Sequence, residues 1–75
     1  MSPRLPNITA DTMIRALTSA GWRVISHKGS HAHLKHVNLS GRLVIPDHSG
    51  DLKRPLMKAI LRHAGLSEEE FRKLL

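Results

Sequence analysis

Lys28-Gly29-Ser30-His31 is the stretch that most narrows what this chain can become. Glycine reaches positive φ at little cost and serine bonds readily to nearby backbone, so the central pair is turn chemistry. Alternating runs flank it. Before it, Trp22, Val24 and Ser26 alternate with Arg23, Ile25 and His27; after it, Ala32 and Leu34 alternate with His31, His33 and Lys35. Two such runs joined by a tight turn make a β-hairpin. With Lys28-Gly29-Ser30 as the loop, His27 pairs with His31 and the two patterns coincide. Trp22, Val24, Ala32 and Leu34 then face a core, while Arg23, His31, His33 and Lys35 line the opposite face. A two-residue loop would turn the first strand over. The first register is preferred because it buries the tryptophan, and it leaves Ile25 as a misfit.

The rest of the chain builds around that hairpin. Pro3 and Pro6 make Met1 to Asn7 an extended lead-in. Thr9 is an N-cap for a helix whose apolar stripe is Ala10, Met13, Ile14, Leu17 and Ala20, with Asp11 in its first turn and Gly21 closing it. Asn38-Leu39-Ser40-Gly41 is a second hairpin turn, and Leu43-Val44-Ile45 is a third strand stopped by Pro46. Asp47 to Asp51 is a polar loop. Pro55 at N1 opens a helix with Met57, Ile60, Leu61 and Ala64 inward, ended by Gly65. Ser67-Glu68-Glu69-Glu70 is a capping box for a short last helix, with Leu66 and Phe71 as its staple. The order is α-β-β-β-α with a short extra C-terminal helix. This α+β pattern closes with a three-stranded antiparallel sheet covered by helices on one face, the double-stranded-RNA-binding-domain-like (dsRBD-like) arrangement.

A length of 75 residues allows one domain, residues 1–75, with a thin core. No cysteine is present, so neither a disulfide framework nor a thiolate metal site is open to it. No apolar run is long enough to span a bilayer and no secretory leader pattern is visible, so a cytoplasmic location is expected. The formal charge is +6, and no acid occurs from Thr12 to Pro46, where five Lys and Arg residues and four histidines fall. A field of one sign over the middle of the chain draws polyanions. Nucleic acid or an acidic protein is the partner class this implies.

His31 carries the chemical interest, because an imidazole at a hairpin mouth titrates near neutrality and transfers protons in either direction. His27, His36 and His63 are read as solvated surface side chains. His31 and His33 point the same way from one strand, which is metal-ligand spacing. A zinc site needs at least a third ligand, from His27 or His48, so metal ranks below proton transfer. No P-loop, dinucleotide or nucleophile-elbow signature occurs.

Several fragments, in this order, resemble the HicA toxins, small mRNA interferases of toxin–antitoxin pairs. They are Arg4-Leu5-Pro6, Ala20-Gly21-Trp22, Lys28-Gly29-Ser30-His31, the Pro-x-His segment in Val44-Ile45-Pro46-Asp47-His48, and Ile60 to Ser67. Two departures are mild: Lys53-Arg54-Pro55-Leu56 stands where a lysine, a glycine and a small polar residue are typical, and Ala32 is smaller than usual. The resemblance implies a dsRBD-like fold and a metal-independent, cofactor-free endoribonuclease acting on messenger RNA. It implies His31 as the catalytic residue and a HicB-type antitoxin as protein partner, covering the site. On this reading His31 moves a proton to or from the ribose–phosphate chain. Lys28 and Lys35 hold phosphate oxygens, the Gly29-Ser30 turn positions the imidazole, and His33 or His48 assists. Lys53 and Arg54 at a helix start suit further phosphate contact. The alternative is a non-catalytic RNA-binding module using the same basic surface.

Overall fold

Helix α1 (Ala10–Ser19) begins where the Thr9 hydroxyl accepts the Thr12 N–H at 3.2 Å, the side-chain cap that satisfies one orphan donor. Asp11 sits in its first turn and pairs with Arg15 at 3.1 Å. Both groups are solvated, so the pair adds little. The structure, a computed structural model, describes residues 5–47 and 50–75. Arg4 and most of the proline lead-in, together with His48 of the Pro-x-His segment, lie outside the described residues.

Three antiparallel strands follow in the order β1-β2-β3: β1 (Trp22–Lys28), β2 (His31–His36) and β3 (Leu43–Pro46). Helices α2 (Arg54–Ala64) and α3 (Glu68–Arg72) complete the expected α-β-β-β-α order with its short extra helix. Met13 and Leu17 of α1, Met57, Ile60 and Leu61 of α2, and Phe71 of α3 form one buried cluster with Trp22, Ala32, Leu34, Leu43 and Ile45 of the sheet. The helices therefore cover one face. The other face, bearing His31, His33, Lys35 and Val44, is open, and this is the dsRBD-like arrangement.

The hairpin register is the one the alternation favours from Trp22 to Val24, where Trp22 pairs with His36, and differs from it only between there and the turn. Lys28 pairs with His31 and His27 with Ala32, so the loop is only Gly29-Ser30. A two-residue loop ought to invert β1, yet Trp22 is buried. A β-bulge reconciles the two: the register slips between Val24 and Ser26, so that Ile25 is the extra residue. Ile25, the misfit of the alternation, is the signature of that bulge. On the near side of the bulge Arg23 opposes Lys35 and Val24 opposes Leu34; beyond it Ser26 opposes His33. Arg23, His31, His33 and Lys35 share the open face as expected, with the register changed only on the turn side of the bulge. Val24 faces the helix side but is 41% exposed, because β1 is an edge strand.

The helix ends follow local chemistry. Helix α2 starts one residue earlier than expected, placing Pro55 at N2, where an N–H has no helical partner in any case. Gly65 ends it in the left-handed conformation, φ 73°. Ser67 and Glu70 form the full capping box, Glu70 N–H to Ser67 Oγ and Ser67 N–H to Glu70 Oε1 at 3.0 and 2.9 Å. The bond from the Ser67 backbone, then that from its side chain, hold the Glu70 carboxyl below its ordinary range.

At the α1–β1 corner, His36 is no surface histidine. Its Nδ1 accepts the Asn38 N–H at 3.0 Å, so Nε2 carries the proton and donates to the Ala20 carbonyl at 3.1 Å. The ring also stands edge-on to Trp22, centroids 5.4 Å apart. His36 thus latches the end of β2 and the following loop to the end of α1. Gly21 is required beneath it: φ is 102°, and a Cβ there would fall 2.5 Å from His36 Nε2. Gly21→Ala is expected to destabilise by about 2–4 kcal/mol, from backbone strain plus the displaced latch. Urea denaturation of Gly21→Ala, His36→Ala and the double variant checks this. The double variant should cost clearly less than the sum of the two singles, and strict additivity would refute the clash.

Candidate functional site

The turn that presents His31 is held from two sides. Gly29 has φ 59° and Ser30 has no positive φ, the pattern of a type II′ turn, whose twist suits a two-residue hairpin. Asp47, just past β3, donates its backbone N–H to the Ser30 carbonyl at 2.5 Å. Its carboxylate accepts from His27 Nε2 at 3.0 Å. His27 pairs with Ala32, and Ala32 also pairs with Ile45, two residues before Asp47. His27 is therefore a clamp on the turn rather than a free surface histidine. This contact joins residues 20 apart in sequence, and no local pattern announces it.

Three rungs cross from β1 to β2 on the open face, and every side chain in them but Ser26 is a cation or an imidazole. Lys28 opposes His31, Ser26 opposes His33, and Arg23 opposes Lys35. Rungs two residues apart on a strand stand about 6.6 Å apart. No acidic residue lies in any of the three strands. His31 is exposed, its ring makes no hydrogen bond to another described residue, and its β3 neighbour is Pro46.

His33 sits differently. It is half-buried between Ser26 on β1 and Val44 on β3, and its Nδ1 is buried with no hydrogen-bond partner among the described residues. Desolvation, then the charges of Arg42, Lys28, His31 and His27, lower its pKa from the ordinary 6.5. At neutral pH it is an uncharged imidazole among cations, a proton acceptor beside a solvated neighbour. The strand periodicity places His31 and His33 on one face; only burial tells them apart.

The remaining expected residues are less concentrated. Lys35 lies on the far rung, exposed, four residues along β2 from His31. Lys53 and Arg54 are at the start of α2, in the helix layer. The Arg54 guanidinium donates to the Leu5 carbonyl at 2.7 Å and to Asn7 Oδ1 at 3.3 Å, so it ties the N-terminal segment to α2. Among the described residues no group of three His, Cys, Asp or Glu side chains stands together to hold a metal ion, and His27, one of the two candidate third ligands, is turned to Asp47. The other, His48, lies outside the described residues. No described helix is long and apolar enough to cross a membrane.

Taken together, the site is a solvated imidazole and a neutral one on an uncovered cationic sheet, with lysines on either side. Residues 10–66 match a family model described as the HicA toxin of bacterial toxin–antitoxin. No curated protein matches the chain.

Proposed function

Because this chain belongs to the HicA family, the toxin side of toxin–antitoxin pairs, we propose that it is an endoribonuclease that cleaves messenger RNA on the open face of its sheet, with His31 as the catalytic residue. The observation that carries this reading is the contrast between the two imidazoles of β2: exposed His31 beside half-buried His33, whose pKa is lowered. RNA brings its own nucleophile. The 2′-hydroxyl oxygen attacks the adjacent phosphorus, its O–P bond forms, and the bond from phosphorus to the 5′ oxygen breaks. One proton leaves the 2′-hydroxyl and one reaches the departing 5′ oxygen, giving a 2′,3′-cyclic phosphate and a 5′-hydroxyl. His33, whose neutral form is favoured, is suited to take the first, and the exposed His31 imidazole to give the second. Lys28 neutralises the oxygens of the scissile phosphate as negative charge builds, Lys35 holds a phosphate oxygen further along β2, and the clamped Gly29-Ser30 turn fixes where the His31 ring stands. Lys53 would add phosphate contact away from the sheet, beside Arg54, which holds the N-terminal segment.

This chemistry needs no cofactor, since both proton transfers and the charge stabilisation come from side chains of the sheet. The cationic face would also be the surface that a HicB-type antitoxin, acidic in complement, covers, so that RNA and antitoxin compete.

Purified protein incubated with messenger RNA in excess EDTA tests the reading. Shortened fragments with 2′,3′-cyclic phosphate ends are expected, at the rate seen without chelator. RNA that is retarded in a gel yet remains intact would make the protein a binding module instead. Cleavage lost on chelation would replace the histidine mechanism with a metal-dependent one.

A further inference from the structure

The open face does not end at the imidazoles. Beyond His33, at the end of the hairpin away from the turn, a hollow is lined by Gly21, Arg23, Ile25, Lys35, His36 and Val37. Two of these are cations directly opposite each other, Arg23 and Lys35, a cross-strand arrangement that costs stability. Neither has an acidic partner among the described residues. Beside them, Ile25 is 45% and Val37 is 89% exposed. The bulge puts the Ile25 side chain there. His36 is locked by its bonds to Ala20 and Asn38, so one wall of the hollow is preformed.

We propose that this hollow is a second RNA subsite, which takes an unpaired nucleotide at a distance from the scissile bond. Its phosphate lies between Arg23 and Lys35, and its base rests on the aliphatic side chains of Ile25 and Val37. The proposal rests on the endoribonuclease reading of the same face. A base within a duplex has both of its faces covered by neighbours, so only an unstacked base can offer one to aliphatic surface. Lys35 is four residues from His31 along β2, about 13 Å. A nucleotide in the hollow is therefore separate from the one being cut, and the substrate class is single-stranded RNA that runs along β2 past the scissile phosphate.

The test measures binding of a single-stranded RNA oligonucleotide by the non-cleaving His31→Ala protein across a salt series, alone and with Arg23→Gln plus Lys35→Gln. Each phosphate that is no longer neutralised makes the slope of log affinity against log salt shallower by about 0.7, which is about fivefold in affinity at 0.1 M salt. The expected result is a slope shallower by about 0.7 and binding about fivefold weaker. Both side chains are exposed and of like charge, so the melting temperature should hold or rise. An unchanged slope, with Lys28→Gln in the same background still reducing it, would sink the subsite and leave the RNA reading standing. Failure of every form to bind RNA would sink both. Unchanged RNA binding accompanied by loss of antitoxin binding would assign the hollow to the protein partner and overturn the proposal.

Discussion

His31→Gln abolishes RNA cleavage while leaving the fold intact: this is the largest functional effect expected of any single substitution here. Glutamine keeps a polar side chain of similar size but cannot move a proton at neutral pH, and a positioned acid or base contributes about 10²–10⁴-fold. The His31 side chain is exposed and makes no hydrogen bond to described residues, so stability should shift by no more than about 0.5 kcal/mol. Expression of the wild type should arrest growth and that of His31→Gln should not, at equal protein levels and with identical circular dichroism. Equal cleavage by the two would remove His31 from the chemistry. The pH dependence carries a second signature in the same assay. The His33 pKa is lowered in the folded chain, so the neutral form persists to lower pH than in a free imidazole, and activity should fall off at a lower pH than an unshifted histidine would set. The same shift means that the unfolded chain binds the proton first. Stability that is full above about pH 6.5 therefore falls as pH drops from there to the folded pKa. His33→Gln should erase both the acid limb of the rate profile and that part of the stability loss.

Phe71→Ala is expected to be the most destabilising single change, at about 3–5 kcal/mol. Phe71 is fully buried, the one phenylalanine in the chain, and it comes from α3, which spans only Glu68–Arg72. A helix that short has no stability of its own. It is held by its capping box and by this ring entering the core beneath the sheet. A chain of this length has a total stability of about 4–11 kcal/mol, so the loss amounts to a large share of the whole. Thermal and urea melts of a full-length variant check it, with a fall in Tm of roughly 12 °C or more expected. A loss under about 1 kcal/mol would mean that α3 is an appendage rather than part of the core. Residues beyond Leu66 lie outside the span that matches the family, so this is also a test of whether the last helix belongs to the folding unit.

Much of the architecture is legible because it is written in short-range chemistry. Thr9, Ser67 with Glu70, and Gly65 announce their helix ends through bonds to neighbours three to five residues away. Strand alternation puts His31, His33 and Lys35 on one face. The hairpin register escapes the same pattern for an equally physical reason. Alternation has period two, and one inserted residue with a shorter loop restores the same facing. A pattern of faces is therefore blind to the combination, and only the misfit of Ile25 hints at it. His27 and His36 look solvated in the sequence and are not free, because their partners, Asp47 and Ala20, lie 20 and 16 residues away.

The sequence by itself determined the order of elements, the cationic open face and the imidazole displayed at its turn, since each follows from periodicity, caps and charge within a few residues. Tertiary structure alone decided that His33 is half-buried and His31 is not, that Asp47 clamps the turn, and that a hollow opens beside Arg23 and Lys35. Each of these depends on which backbone stands beside which, and that is settled by the packing of the whole chain around one core.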